Sequence, residues 1–306
     1  MRGSRQPSAR RCQVSDVRYQ ARAIGNGQRG TGNGALRFAY CALRIAHLPY
    51  CPPVLTAIIW GLVQGLTEFL PVSLSAHLIL VPALLDLDEP DLATTAVLHL
   101  GTLVALLWYY RRELIGMVRA PRSPHNRRMW MLLIVGTIPA AIIGLTLRDP
   151  IEIIFSEPWI VAVSLVITGL ILVAAHRLRP GDRTVDDGTV SDAIVVGMAQ
   201  AIALIPGISR SGMTMTAGLA QGMSRVESAR LTFMLGIPAI AGAALLETVQ
   251  VLDRGDFGPE LLVGTVVAGI SGYFAVSVFV KLIGRHGLLS YALYCILFGV
   301  IAYFLV

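Results

Sequence analysis

The chain has 306 residues, 55% of them apolar and only 14% charged, where a soluble globular domain carries about a quarter charged. Mean hydropathy is +0.66. A soluble fold of this length would need an improbably dry surface, so disorder, a coiled coil and an ordinary cytosolic enzyme are excluded and a polytopic membrane protein remains. The net charge of +6 gives no argument for a nucleic-acid partner, because residues 1–50 hold nine arginines against the single acid Asp16, while the rest carries sixteen basic and eighteen acidic side chains. The four cysteines, at 12, 41, 51 and 295, contain no CxxC pair and suggest neither a disulfide framework nor a zinc site.

In chain order, residues 1–34 are rich in Arg, Gly, Ser and Gln and lack an apolar run. The GNGQRG segment at 25–30 matches a dinucleotide fingerprint only formally, since no strand precedes it and no helix follows. Arg37, Arg44 and His47 interrupt the 35–51 stretch, which argues against a signal peptide. Residues 1–50 therefore read as a disordered or non-native extension, and 54–306 as the membrane domain.

Six stretches within that domain are long enough to cross a bilayer of about 30 Å as helices: 93–110, 129–147, 159–175, 231–250, 261–282 and 288–306. Two further apolar regions, 54–86 and 193–221, are broken by Leu70-Pro71-Val72-Ser73 and by Pro206-Gly207-Ile208-Ser209. Their arms are mostly too short to span, so each reads as a re-entrant helix hairpin. A shift of 136 places Gly61, Gln64, Ser73 and Ser75 on Gly197, Gln200, Ser209 and Ser211. The expected fold is thus all-α and duplicated, with repeat one at 54–176 and repeat two at 191–306, each a hairpin plus three transmembrane helices. An odd number of crossings turns the second copy upside down, giving an inverted-topology repeat whose broken helices meet near the midplane.

Short cytoplasmic connections hold the excess of Lys and Arg. With the 111–128 loop in the cytoplasm that side has thirteen: six in the loop, then Arg177, Arg179, Arg183, Arg225, Arg230, Lys281 and Arg285. The outer side keeps Arg148 and Arg254 beside the acid-rich 86–91 stretch. The first hairpin then enters from outside and the second from the cytoplasm.

Arg210 alone among the cations falls inside a hairpin, where a cationic side chain costs about 2.5–3.5 kcal/mol even on the lenient insertion scale. It sits in Pro206-Gly207-Ile208-Ser209-Arg210-Ser211-Gly212-Met213-Thr214. Backbone N–H groups around Gly207, the hydroxyls of Ser209, Ser211 and Thr214, and the guanidinium together suit a phosphate. The plainer alternative is an Arg210–Glu68 ion pair with the serines capping helices. Gln64 and Glu68, four residues apart, share a helical face just before the first break, and Glu68 can ligate a divalent cation or act as a base. Ser73, Ser75 and His77 follow that break, and an imidazole beside a phosphate is a natural acid or base. His99, in the first full span, reads as structural, and Glu247 as an interfacial group.

At these residues the sequence resembles the bacitracin-resistance family of undecaprenyl-diphosphate phosphatases, bacterial inner-membrane enzymes. The resemblance covers nearly all of 54–306 and rests on a Glu/Gln-x-x-x-Glu segment running into FLPVS, here Gln64 through Ser73, and on a PGxSRSxxT segment, here Pro206 through Thr214. It implies hydrolysis of a polyprenyl diphosphate to the monophosphate at the outer face of the membrane, regenerating the carrier for cell-wall synthesis, with Mg²⁺ or Ca²⁺. It further implies Gln64 and Glu68 as metal ligands, Glu68, His77, Ser73, Ser209 and Arg210 as catalytic residues, and Gln64, Ser75, Gly207, Ser211 and Thr214 as substrate-binding residues. The expected partners are the lipid substrate, membrane lipid and a second copy in a homodimer. The family commonly reads SSTGH after PV, whereas this chain has Ser73-Leu74-Ser75-Ala76-His77, so position 74 offers no nucleophile. The competing class is a lipid-phosphate flippase or transporter using the same site without hydrolysis.

Overall fold

The computed structural model describes residues 53–306 apart from 86–88, 91, 155–156 and 253–258. The expectations for residues 1–50, Arg254 and the Glu247 side chain fall outside the described residues. Among these residues every regular element is helical, with one isolated backbone bridge between Arg183 and Met223.

The first hairpin is α1 (Pro53–Phe69) and α2 (Leu74–Leu85). Pro71 ends α1, because it lacks an N–H and disfavours helix at Leu70. The Ser73 Oγ restarts the chain by accepting the Ala76 N–H at 3.3 Å. After it come α3 (Leu92–Tyr109), α4 (Arg111–Arg119), α5 (Pro124–Ile154) and α6 (Pro158–Arg177). The second hairpin is α7 (Val190–Ile202) and α8 (Arg210–Ala220), followed by α9 (Arg225–Leu252), α10 (Pro259–His286) and α11 (Leu289–Leu305). A capping box of Thr189 and Asp192 starts α7, and Ser209 caps α8 by accepting the Gly212 N–H at 3.1 Å.

Helices stand at all six expected spans, but only four are long and apolar enough to cross a bilayer among the described residues: Pro124–Leu147, Pro158–Arg177, Arg225–Leu246 and Glu260–His286. Thr94–Tyr109 and Leu289–Leu305 are apolar and shorter. Two local corrections follow. The 111–128 connection is not a plain loop but contains α4, whose Met117 is buried while Arg112 and Arg119 are exposed. The second break begins at Ala203, three residues before Pro206, because the chain tightens there into i→i+3 bonds, Leu204 N–H to Ala201 O and Ile205 N–H to Ile202 O, both 3.2 Å.

The two halves pack by exchange. α1 lies against α10 of the other half, and its counterpart α7 lies against α5. Gly61 and Gly197, related by the shift of 136, make both contacts close: a Cβ on Gly61 would lie 2.5 Å from Gly264 O, and one on Gly197 2.6 Å from Gly136 O. Small residues at such crossings let backbones meet. α6 and α11 run antiparallel: Gly169 abuts Ala292 O while Gly299 abuts Ala162 O, each at 2.8 Å from the built Cβ. An aromatic ladder, Phe69–Phe233–Phe279–Tyr291, with ring centroids 6.0, 5.6 and 5.5 Å apart, carries the core from the first break towards the α10–α11 turn. Arg230 gathers Glu113, Glu227 and His125, and His125 pairs with Asp186, so the connections assigned to the cytoplasm collect at one end.

Candidate active site

The two breaks touch. Ser75 Oγ accepts the Gly207 N–H at 3.1 Å, and Ser211 Oγ donates to Leu70 O at 3.0 Å, so the second serine of each turn holds the backbone of the other. Within each turn the serines face one another, Ser73 with Ser75 at 3.2 Å and Ser209 with Ser211 at 3.3 Å. Ser73 has a φ of +66°, a left-handed conformation a side chain rarely adopts, and Gly207 has +91°. Thr168 of α6 locks the second turn, donating to Gly207 O at 3.0 Å and accepting the Ser209 N–H at 3.1 Å.

This bracing brings the expected charges together. Arg210 Nη2 pairs with Glu68 Oε1, the glutamate side chain being 6% exposed and the arginine side chain 20%. Gln64 Nε2 donates to Glu68 Oε2 at 3.2 Å. The guanidinium lies against Gly236, where a Cβ would fall 2.5 Å from Arg210 Nη1. Thr214 is buried and spends its hydroxyl on Arg210 O at 2.9 Å, with Thr232 Oγ1 3.1 Å away. It thus supports the turn bearing the arginine.

His77 is placed differently from the sequence expectation that sets it against the Arg210 turn. Its Nδ1 meets Ser73 O at 2.8 Å and its Nε2 meets the Tyr294 hydroxyl at 2.7 Å. The ring stacks on Tyr294 and tilts against Phe298, centroids 5.7 and 5.2 Å away. The histidine beside the carboxylate is instead His99, whose Nε2 is 3.6 Å from Glu68 Oε2 while Nδ1 meets Thr95 O at 2.9 Å. His99, read from the sequence as structural, thus lies beside the carboxylate. The signal for it lay in Thr95, His99 and Thr102, which occupy one face of an otherwise apolar helix. Tyr294 left no such signal among the other aromatics of α11.

Among the described residues no three His, Cys, Asp or Glu side chains form a metal cluster. Glu68 and Gln64 nevertheless offer oxygen donors, and Gln64 Oε1 is buried without a hydrogen-bond partner among the described residues. A carboxylate and an orphaned amide oxygen are donors that would suit a hard cation.

The sequence profile described as "Bacitracin resistance protein BacA" matches residues 57–301. Among curated relatives, the undecaprenyl-diphosphatase of Gemmatimonas aurantiaca is 40% identical over 256 residues, covering 81% of this chain and 96% of that protein. Those of Moorella thermoacetica and Geobacter metallireducens are each 42% identical, over 248 and 257 residues, covering 80% of this chain and 94% and 95% of theirs. With the profile spanning both braced turns and the relatives matched almost from end to end, the chain belongs to the bacitracin resistance protein BacA family.

Proposed function

We propose that this chain is a membrane phosphatase that hydrolyses undecaprenyl diphosphate to undecaprenyl phosphate and inorganic phosphate. The observation that carries the reading is the buried Glu68–Arg210 pair held across two mutually braced turns, in a family whose curated relatives bear the name undecaprenyl-diphosphatase. Arg210, at the start of α8, clamps the developing phosphoryl charge, while the N–H groups of Gly207 and Ser209, already met by Ser75 and Thr168, hold the turn that presents the arginine. Gln64, Ser75, Gly207, Ser211 and Thr214 shape the pocket around it. The nucleophile is Ser73, whose strained φ of +66° fits a functional turn and which lies one turn from His77, and Ser209, beside Arg210 at the start of α8, supports the clamp. Attack on the terminal phosphorus breaks its bond to the bridging oxygen, which leaves with the lipid monophosphate. Water then releases phosphate from the serine. His77, one turn beyond Ser73, is the proton carrier, its Nε2 resting on Tyr294 until substrate arrives. Glu68 and Gln64 hold a divalent cation, which supplies charge neutralisation of the diphosphate when bound.

The fold in this reading is an inverted repeat with two re-entrant hairpins, supported by the antiparallel run of α6 and α11 and by the exchange of α1 and α7 between halves. The site faces outward across the cytoplasmic membrane, supported by the thirteen basic residues of the opposite connections. Hydrolysis there recycles the lipid carrier for cell-wall synthesis and, by removing the diphosphate form, gives bacitracin resistance. Residues 54–306 form the working domain, so a chain beginning at Val54 is expected to insert and turn over substrate as the full chain does.

The antiparallel counterparts also favour a second reading, a lipid-phosphate flippase. Purified protein in detergent micelles, with no membrane gradient, decides: release of phosphate from a polyprenyl diphosphate supports the phosphatase. Binding of that lipid with no release overturns it in favour of transport.

A further inference from the structure

We infer that a cavity between α10 and α11, at the end of the bundle where the basic connections collect, binds the phosphodiester headgroup of an anionic glycerophospholipid. The cavity measures about 360 Å³ and is lined by Leu282, Ile283, His286, Gly287, Ser290 and Tyr291. That is the small end of the range for ligand pockets, about 300–1,000 Å³, and it suits a headgroup rather than a whole lipid. None of these residues enters the proposed active site.

The cavity stands at headgroup depth. Three membrane-length stretches end beside it: Pro158–Arg177 of α6 and Glu260–His286 of α10 finish there, and Arg225–Leu246 of α9 begins there. Their ends meet at Gly287, where a Cβ would lie 2.7 Å from His176 Nδ1 and 3.4 Å from Arg225 Cζ. The α10 stretch has 27 residues. At that length a helix is about 40 Å long against a hydrocarbon core of about 30 Å, so its ends reach the headgroups. Within the lining, Leu282 and Ile283 lie about a turn deeper along α10 than His286, while Gly287 and, in the first turn of α11, Ser290 lie on the shallow side. Apolar below and polar above is the order of a phospholipid from its acyl esters to its phosphate.

Charge selects the ligand. The lining contains no Asp or Glu. Arg230, on the same helix as Arg225, holds Glu113 and Glu227, but Arg225 makes no ion pair or hydrogen bond among the described residues. Glu227, two residues from Arg225, also accepts the Val185 N–H and is spent there. His176 Nδ1, on the other side of Gly287, has no hydrogen-bond partner among the described residues either, so no hidden carboxylate neutralises this wall. Arg177, Lys281 and Arg285 stand exposed at the neighbouring helix ends. A guanidinium without a carboxylate, next to a cavity holding a hydroxyl and an imidazole, matches phosphate oxygens as charge-assisted acceptors, and basic pockets between helix ends at a membrane surface take anionic headgroups. A choline headgroup would carry its own cation into the same field and gain less.

The test titrates the purified full chain, stripped of lipid in detergent, separately with dioleoyl phosphatidylglycerol, dioleoyl phosphatidylcholine and inorganic phosphate. Native mass spectrometry counts retained lipid, and thermal unfolding reads stabilisation by mass action. One phosphatidylglycerol per chain is expected to be held at least about fivefold more tightly than phosphatidylcholine and to raise the unfolding temperature. Arg225→Gln should cut that retention about fivefold, the worth of one arginine beside an anionic surface, and leave the lipid-free unfolding temperature unchanged, because no partner is lost. Ser290→Leu, which puts an apolar side chain in the cavity, should lower retention in the same direction. Arg119→Gln, at an exposed position of α4, should retain lipid as wild type does. Equal retention of the two lipids, wild-type retention in either cavity variant, or an equal loss in Arg119→Gln overturns the inference in favour of diffuse surface charge. Stabilisation by inorganic phosphate equal to that by lipid overturns it in favour of a free anion. Every readout is independent of phosphate release, so this site and the phosphatase reading stand or fall separately.

Discussion

The two breaks share their scaffolding and divide their chemistry. In each, the first serine caps the following helix, by 3.3 Å at Ala76 and 3.1 Å at Gly212, and the second serine crosses to the other turn at 3.1 and 3.0 Å. At the remaining positions the copies part. Under the shift of 136, Glu68 stands opposite Leu204, Leu74 opposite Arg210, and His77 opposite Met213. The anion Glu68 and the proposed proton carrier His77 belong to the first turn and the cation Arg210 to the second. Neither half can neutralise its own charge at membrane depth, so each needs the other to be inserted cheaply. A charge pair split between copies ties assembly of the bundle to assembly of the site.

Removing the charge from the second turn should have the largest effect. Arg210→Ala is expected to lower phosphate release by far more than tenfold, a loss above about 1.4 kcal/mol in transition-state stabilisation, and Arg210→Lys should also fail because planar two-point contact is lost. The same change strands Glu68, and an uncompensated buried charge costs about 3–5 kcal/mol. Thermal unfolding in detergent should therefore show Arg210→Ala less stable and the double variant Glu68→Gln/Arg210→Met largely restored, with activity absent in both. A stable Arg210→Ala, or one keeping more than a tenth of activity, would break the division of charge. A smaller effect is expected from Gly236→Ala. Its Cβ would lie 2.5 Å from Arg210 Nη1, and the guanidinium, as the free end of a long side chain, would shift rather than unfold the site. Displacement of a clamp by about 1 Å can cost on the order of a hundredfold in rate, so turnover should fall while thermal stability holds.

The shared scaffolding can be tested by treating its two serines alike. Ser75→Ala leaves the Gly207 N–H unmet, whereas Ser211→Ala removes one of two donors to Leu70 O, which keeps the Val72 N–H at 2.7 Å. Ser75→Ala should lower stability by about 1 kcal/mol, and Ser211→Ala by less. A loss confined to one variant would mean that one turn braces the other without being braced in return.

Much of this site could be read before any coordinates, because charges and glycine-proline breaks inside apolar runs are costly and therefore conspicuous. Glu68, Arg210 and the 136-residue shift all announced themselves that way. His99 did not, since it lies on a helix separate from both breaks and its meaning depends on α3 packing beside α1, a contact between elements that periodicity does not encode. Tyr294 was hidden for the same reason, its partner His77 being 217 residues away. The early onset of the second break came from i→i+3 bonding ahead of Pro206, where local tightening outweighed the apolar run Ala203-Leu204-Ile205. Helix α4 escaped because its charges resembled an ordinary loop, although Leu114 and Met117, three apart, mark its inner side.

The smallest effect expected comes from the pair of glutamines that the repeat places in register. Gln64 is buried and gives its amide N–H to Glu68, while its Oε1 has no hydrogen-bond partner among the described residues. Gln200 is equally buried, yet neither of its amide atoms has a hydrogen-bond partner among the described residues, and the residue opposite Glu68 in its copy is Leu204. An amide buried without partners costs about 1–3 kcal/mol by the standard of protein substitutions, whereas an apolar side chain of similar volume fits the surrounding helices without that cost. Gln200→Leu should therefore leave phosphate release within about twofold of wild type and raise thermal stability, an effect of about 1 kcal/mol or more. Gln64→Leu should lower release through weaker cation binding, with the loss partly recovered as the divalent concentration is raised. If Gln200→Leu instead abolished release, or lowered stability, the second glutamine would have a working partner and the two turns would be less unequal than their charges make them.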